Sequence, residues 1–398
     1  MAPDRHSRCL LVADTSSRLD TLTVALLEPV DPGHALAPGN DSERLLFRNL
    51  ADNLVRLDCE GVARPGIAES WAPDETDAGW ILALRANASH PTTGPISAGM
   101  VARSLAALSL RNGEEAPPFG IVSAHELTER KLRIAMDDPI TDSAPRFLAD
   151  PALAVTRAFA SDPGTENRGV QIPATENAPV IDFRFPLKRD VRDALDQDVD
   201  LVVTRNPSLA DYASRNPDFV TFPLPWSRTY VLVEIGDRLG NLARIHGDTA
   251  ARASLAKDAV RAQARMAEPP YWWANRGGCP ASATAPPKSM SSRVVYTADD
   301  EVARGLAERL VALADPAAGL QALGVEAAEF SAALRAGTEG AYVLGLPRQS
   351  LAPCRDGALL PARAAVLPLI DTRAQALVRK GAPPLVVEWD GTLRIGRP

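Results

Sequence analysis

Residues 54 to 105 read LVRLDCEGVARPGIAESWAPDETDAGWILALRANASHPTTGPISAGMVARSL. This stretch contains a short strand and turn over 54–61, a strand over 80–85, and a helix over 98–110 that follows the capping residue Ser97. Between the first two elements lies the segment 65–71, PGIAESW. Strands that alternate with helices predict a fold of the α/β or α+β class.

The same alternation continues on both sides of this stretch. Further strands are predicted over 21–27, 132–136, 199–204, 229–235, 293–296, 341–346, 364–369 and 385–389. Helices are predicted over 41–50, 190–198, 250–266, 299–313 and 327–336. The region 137–180 is predicted to be loop with one short helix, and 268–292 is a connection rich in proline, glycine and serine.

Composition sets the broad class of the protein. The 398 residues are 45% hydrophobic and 23% charged, which is typical of a globular chain of about two to three domains. The net charge of −7 disfavours a nucleic-acid partner. No window approaches the apolar length of a membrane-spanning helix.

The cysteines and the N-terminus bear on the cellular compartment. Four cysteines stand at 9, 59, 279 and 354, with no CxxC pair, so a zinc site is not predicted. Cys279 and Cys354 lie in loop-like stretches, and they either form a disulfide or remain two thiols. The apolar run at 9–13 is too short for a secretory signal. Either a leader is missing from this chain or the protein stays in the cytoplasm.

The signatures of catalysis and cofactor binding are missing from the sequence. It contains no GxSxG, no P-loop, no HExxH, and no GxGxxG between a strand and a helix. The five histidines stand in five separate segments. We therefore predict no catalytic residues, no metal site, no cofactor and no enzymatic activity.

The order of motifs over residues 20–110 resembles the start of the peptide/nickel-type solute-binding proteins of ABC importers, solute-binding protein family 5. The matching segments are Val30-Asp31-Pro32 after the first strand, the turn ending at Gly61, Pro65-Gly66-Ile67-Ala68-Glu69-Ser70-Trp71, Leu84-Arg85, and the run from Thr93 to Leu105. Weaker likeness continues at 200–204, 225–233, 277–287 and 330–346.

The resemblance implies an α/β, two-lobed periplasmic-binding-protein-like fold of type II, with an extra subdomain and mixed sheets flanked by helices. Lobe I is expected to combine 1–45, 172–235 and 368–398, with 46–171 as its subdomain. Lobe II is expected to span 236–367. The strands that cross between the lobes are expected to act as hinges near 234–237 and 366–370.

The chain departs from the family at the expected peptide-amine site. The peptide-binding branch has an aromatic-Asp-Pro loop after its second-lobe strand, whereas this chain has Pro347-Arg348-Gln349-Ser350. An arginine suits a carboxylate or another anion, because its planar donors bind two oxygens at once. The other interpretation of Arg348 is a solvated loop residue.

The predicted ligand-binding residues fall in four places. Trp226, Arg228 and Tyr230 precede the first expected crossing, and three of the six tryptophans lie within 226–273. Aromatic surface and a few polar anchors are typical of ligand sites. Trp272 and Trp273 either form an aromatic wall or cover the core between the lobes. The predicted ligand-binding residues are Trp226, Arg228, Tyr230, Tyr271, Trp272, Trp273, Arg348 and His34.

The resemblance implies a solute-binding protein of an ABC importer that captures a small polar ligand by hinge closure. The ligand is expected to be peptide-like or another small molecule, with an anionic one favoured over a free peptide. The implied partner is an ABC permease, the implied location is periplasmic or extracytoplasmic, and the protein is expected to be a monomer. The alternatives are an accessory or cytoplasmic ligand-sensing module with the same fold, and a hydrolase with an unrecognised site.

Overall fold

The structure is a computed structural model of the chain. It describes residues 9–14, 19–36, 38–75, 78–90, 94–111, 118–137, 142–155, 169–174, 179–185, 190–235, 250–251, 253–255, 264–268, 291–314, 319–347 and 364–395. All structural statements below concern these residues.

The helices and strands follow one another along the whole described chain. Up to residue 225 they are β1 (Leu10–Leu11), β2 (Thr21–Ala25), α1 (Asp41–Leu50), β3 (Val55–Leu57), β4 (Ala63–Pro65), β5 (Ala68–Pro73), β6 (Gly79–Leu84), β7 (Ser89–His90), β8 (Gly94–Pro95), α2 (Ala98–Arg111), β9 (Ile121–Thr128), β10 (Lys131–Met136), β11 (Val170–Ile172), β12 (Val180–Arg184), α3 (Val191–Gln197), β13 (Leu201–Thr204), α4 (Pro207–Arg215) and β14 (Phe219–Pro223). The later elements are β15 (Arg228–Ile235), β16 (Ala264–Met266), β17 (Ser291–Thr297), α5 (Glu301–Leu313), β18 (Gln321–Val325), α6 (Ala327–Ala336), β19 (Glu339–Pro347), β20 (Ala364–Thr372), β21 (Gln375–Arg379), β22 (Leu385–Val387) and β23 (Leu393–Ile395).

The chain forms two compact units. The first combines Met1–Pro225 with Gln375–Pro398, and the second is Trp226–Ala374. The expected hinges near 234–237 and 366–370 differ from these divisions, because β15 and β20 pair along their lengths inside one sheet of the second unit. The division into lobe I, its subdomain 46–171 and lobe II stays a prediction.

The first unit is built on a six-stranded mixed sheet in the order β11-β12-β2-β13-β21-β14. The strand β2 runs parallel to both β12 and β13, and β21 returns antiparallel between β13 and β14. Leu22 and Val24 of β2 are fully buried. One face of the sheet packs on α3 and α4, whose Leu195 and Leu209 join a hydrophobic cluster with Leu377 of β21.

A four-stranded antiparallel sheet, β5-β6-β10-β9, carries the stretch that the sequence singled out. Its core holds Trp80 and residues of α2. The glycine of the PGIAESW segment is required by a close backbone approach. A Cβ on Gly66 would lie 2.9 Å from the carbonyl oxygen of Leu54 and closer still to that of Asn53. The motif therefore fixes how β5 leaves the β3–β4 hairpin.

A disulfide joins Cys9 to Cys59 in the first unit. It ties the segment before β1, which pairs with β22, to the β3–β4 turn. The sequence did not predict this pair. The alternatives considered for Cys279 and Cys354 concern positions outside the described residues.

A buried charge network links α1 to the C-terminal strands. Glu388 accepts hydrogen bonds from Arg48 Nη2 at 2.6 Å and from Arg394 Nε at 2.9 Å, and all three side chains are buried. Arg394 also donates to the backbone carbonyls of Arg48 and Ala51, at the C-terminal end of α1. A cation at this end of a helix satisfies carbonyls that have no partner within the helix.

The second unit contains a six-stranded mixed sheet in the order β16-β20-β15-β19-β17-β18. Alternate residues of β15 belong to different hydrophobic clusters. Leu232 packs with residues of α5, and Val233 packs with residues of α6. Both faces of β15 are therefore covered, which explains its nearly continuous apolar sequence. The helix α6 ends at Gly337 in the left-handed conformation, at φ 60°, as the sequence predicted.

Two local predictions were wrong. The segment 264–266, predicted as the end of a helix over 250–266, is the strand β16 paired antiparallel with β20. Pairing with a neighbouring strand outweighs helical spacing over so short a segment. The described part of the region 137–180, predicted as loop with one short helix, contains the strand β11 and two 3₁₀ turns, Arg146–Ala149 and Pro151–Leu153.

Candidate functional site

The candidate site lies at one end of the sheet of the second unit, where β15 begins and β20 ends. Arg228 is paired with Thr372, and Arg265 of β16 is paired with Asp371. Trp226 lies two residues before Arg228, and Arg373 directly follows Thr372. Because β15 and β20 are antiparallel, the residues through which the chain enters and leaves the second unit come together here.

Two guanidinium groups contact the indole ring of Trp226. The Cζ atom of Arg373 is 4.7 Å from the centre of the ring, and that of Arg265 is 4.9 Å away. Both distances fall within the range of a cation–π interaction. An arginine held by its face still directs its N–H groups outward in the guanidinium plane, where they can bind a planar anion.

The charge of Arg265 is matched by two carboxylates. Its guanidinium lies 3.2 Å from Asp371 and 2.9 Å from Glu268. Asp371 is fully buried and also accepts a 2.6 Å hydrogen bond from the Thr229 hydroxyl. Arg265 therefore has a structural role, since it pairs a carboxylate that has no access to water.

The charge of Arg373 is not matched in this way. In the part of the chain that the structure describes, no carboxylate lies within ion-pair distance of it, and its buried Nε has no hydrogen-bond partner. Burial lowers the pKa of the Arg373 guanidinium, and the positive charge of Arg265 lowers it further. Arg373 is thus a partly buried cation whose neighbours on the protein do not neutralise it.

Arg228 lies beside this cluster, at the first position of β15. It is partly buried, and it faces Pro347 in the register of β19 and Thr372 in that of β20. Its side chain crosses Gly345, where an added Cβ would be 2.7 Å from the Arg228 Cδ atom. A glycine at this position is needed for the close approach of the two strands' side chains.

Tyr230 occupies the core of the second unit. Its side chain is 1% exposed, and its hydroxyl donates to the carboxylate of Asp300, 3.0 Å away. Asp300 also caps the N-terminus of α5. The ring of Tyr230 therefore packs in the core of the second unit, and its hydroxyl forms a hydrogen bond within that unit.

His34 belongs to the first unit, in the turn after β2. Its Nδ1 is 3.0 Å from Glu43 Oε1, and its Nε2 is 3.7 Å from Asp31. Glu43 also accepts hydrogen bonds from the backbone N–H groups of Asp31 and Gly39. Glu43 thus organises this turn, and His34 is held half-exposed at its surface.

The structure brings Trp226 and Arg228 to the same end of one sheet and places Tyr230 in the core below. Four predicted site residues lie outside the described residues: Tyr271, Trp272, Trp273 and Arg348. Arg265 and Arg373 were not among the residues predicted from the sequence. Arg373 directly follows β20, but this strand extends to Thr372, beyond the predicted bounds 364–369, and Arg265 lies in a segment predicted as helix.

Two further findings bear on the kind of site. Across the described ranges, no three histidine, cysteine, aspartate or glutamate side chains are grouped so that they could hold a metal ion. None of the helices searched in the same ranges is long and apolar enough to cross a membrane.

Solved structures of periplasmic binding proteins share this fold. NikA from Staphylococcus aureus in complex with Ni(L-His)2 superposes with a TM-score of 0.65 at 12% identity, covering 95% of this chain and 100% of that chain. A dipeptide-binding protein from Pseudoalteromonas sp. SM9913 in complex with Met-Leu gives 0.63 at 12% identity, covering 95% and 99%. The binding protein AgaA from A. tumefaciens R10 in complex with agropinic acid gives 0.61 at 13% identity, covering 90% and 93%.

The chain therefore has the periplasmic-binding-protein fold, with mixed sheets flanked by helices, and its resemblance to the peptide/nickel-type solute-binding proteins is confirmed as a likeness of fold. The neighbours are binding proteins for small ligands, and no family model or curated protein matches the sequence.

Proposed function

We propose that this protein is the solute-binding component of an ABC importer and captures a small polar organic molecule. The fold supports this proposal, since its solved neighbours bind a dipeptide, nickel–histidine complexes and agropinic acid. Under the proposal the protein is not an enzyme, acts as a monomer, closes about hinges on binding, and delivers its ligand to a membrane permease.

The observation that carries the proposal is the cluster of Trp226, Arg265 and Arg373. It combines an aromatic surface with a cation, Arg373, that no carboxylate among the described residues neutralises. Ligand sites typically combine a large apolar or aromatic surface with a few polar groups that fix orientation. The cluster also lies at the segments through which the chain enters and leaves the second unit.

The disulfide supports an extracytoplasmic location. Disulfides such as Cys9–Cys59 form and persist in oxidising compartments and are rare in the reducing cytoplasm. This favours the importer component over the cytoplasmic module considered from the sequence.

Native mass spectrometry of protein purified without denaturation tests the proposal. We expect a small molecule bound at a ratio of one to one, which is lost when the protein is unfolded, dialysed and refolded. The refolded protein should then melt at a higher temperature when a solute that binds the folded state is added. The solutes to test are di- and tripeptides, agropinic acid and nickel–histidine complexes. A protein that carries no ligand and responds to none of these solutes contradicts the proposal.

A further inference from the structure

We propose that Arg373 is the anchor for a carboxylate of the ligand, and that Trp226 holds its guanidinium in place for this contact. The inference rests on the proposed function and names the ligand class, a small organic acid. It goes beyond the residues predicted from the sequence, none of which was Arg373.

The two arginines that contact the indole ring of Trp226 differ in how their charges are balanced. Arg265 and Arg373 lie at almost equal distances from Trp226, but only Arg265 has carboxylate partners within ion-pair distance in the described structure. A polar group removed from water without a partner destabilises a protein. The unpartnered N–H of Arg373 would not carry this cost if a ligand supplied the missing hydrogen-bond acceptor.

One nitrogen of the Arg373 guanidinium, Nε, lacks a hydrogen-bond partner among the described residues. The Arg373 Nε is shielded from solvent, and no described residue accepts its hydrogen bond. In the guanidinium plane, Nε–H and one terminal N–H form a fork that matches the two oxygens of a carboxylate. The indole ring of Trp226, 4.7 Å from the Arg373 Cζ atom, does not accept the Nε–H, which is therefore available to a ligand.

The charges around Arg373 favour an anionic ligand. Burial lowers the pKa of the Arg373 guanidinium, and the positive charge of Arg265, which lies over the same indole ring, lowers it further. A ligand with a negative charge relieves both this repulsion and the lost hydration. A free amine would add to the repulsion, which is consistent with the absence of an acidic peptide-amine loop after β19.

The test uses refolded, ligand-free full-length protein. Small carboxylic acids, among them agropinic acid and the dipeptide Met-Leu, are screened by thermal shift, each beside its methyl ester or primary amide. Inorganic phosphate is included as a second anion. We expect one or more acids to raise the Tm while the matched neutral compounds and phosphate do not.

Titration calorimetry with the acid that gives the largest shift then compares three variants. Arg373→Gln should weaken binding by about ten- to a hundred-fold, because a charge-assisted hydrogen bond is lost. Arg373→Lys should recover part of the affinity, since the charge returns without the fork. Arg192→Gln is the matched control: Arg192 also lies over an aromatic ring, that of Tyr212 at 5.9 Å, but in the first unit. It should bind as the wild type does.

A structural role for Arg373 predicts a different result. If the residue served only the fold, Arg373→Gln would lower the Tm of the unliganded protein. Removal of an unmatched cation should instead leave that Tm unchanged or higher. The proposal is overturned if Arg373→Gln binds the acid with wild-type affinity, or if phosphate or the neutral esters and amides bind as well as the acids.

These outcomes separate the two proposals. Binding of neutral solutes alone, or of acids independently of Arg373, removes the carboxylate anchor and leaves the solute-binding function standing. Failure of every solute to bind, together with an empty protein in native mass spectrometry, removes both.

Discussion

Replacing Glu388 by glutamine tests whether the buried charge network stabilises the first unit. Glu388 accepts from Arg48 at 2.6 Å and from Arg394 at 2.9 Å, and its side chain is 2% exposed. Glutamine has nearly the same size but offers one acceptor oxygen and an NH2 group. One arginine therefore keeps a neutral acceptor, and the other faces a donor.

The expected loss in the free energy of unfolding follows from this geometry. A hydrogen bond to a charged group contributes about 1.5–3 kcal/mol, and breaking a buried ion pair from one side costs about 3–5 kcal/mol. Two such bonds are affected at once, so Glu388→Gln should destabilise the first unit by about 3–5 kcal/mol.

Urea denaturation followed by far-UV circular dichroism measures the loss, and hydrogen exchange of the β22 and β23 amides localises it. The control is Glu69→Gln, which removes an ion pair with Arg130 of 3.3 Å whose two side chains are about half exposed. Exposed pairs contribute about 0–1 kcal/mol, so this variant should remain close to wild type. A loss below about 1 kcal/mol for Glu388→Gln would refute the stabilising role of the network.

Three further predictions concern stability. Reduction of the Cys9–Cys59 disulfide should cost about 4 kcal/mol, the loop-closure value for a separation of 50 residues, measured as a shift in Tm with and without reductant. Burial raises the pKa values of Glu388 and Asp52, but the adjacent arginines outweigh this effect and hold both pKa values below their usual range. The contribution of the two carboxylates to the free energy of unfolding is therefore complete above their unfolded-state pKa and declines as the pH falls. Equal urea midpoints at neutral and at acid pH would contradict this. Gly66→Ala should lower the free energy of unfolding by about 1–3 kcal/mol or more, because its Cβ meets backbone that cannot move aside, and a wild-type Tm would show that the strand shifts freely.

The sequence predicted the strands and helices whose local pattern agrees with their final surroundings. The apolar run TYVLVEI predicted β15, and Gly337 marked the end of α6, because both depend on residues close in sequence. Edge strands such as β16 and β18 carry weak patterns of their own and form by pairing with a neighbour. That pairing is a long-range event that local periodicity does not record.

The candidate site was predicted only in part for the same reason. Trp226 and Arg228 were found because an aromatic residue and a cation close to a strong strand are visible in one short segment. Arg265 and Arg373 join them through the pairing of β15, β16 and β20, which brings together segments far apart in sequence. The Cys9–Cys59 disulfide likewise depends on the meeting of β1 with the C-terminal strands near the β3–β4 turn.

The arginines of this chain fall into two groups by what balances their charge. The sequence has 38 arginines and five lysines, and three described arginines of the first unit, Arg44, Arg48 and Arg394, are buried together with carboxylate partners. The guanidinium of Arg373 instead lies over the ring of Trp226, and no described carboxylate accompanies it. Among the described residues, Arg48 and Arg394 therefore have carboxylates at ion-pair distance, whereas Arg373, near the C-terminal end of the second unit, has none. If Arg373 anchors a carboxylate as proposed above, its unmatched charge would lower the stability of the unliganded protein and raise its affinity for an anion.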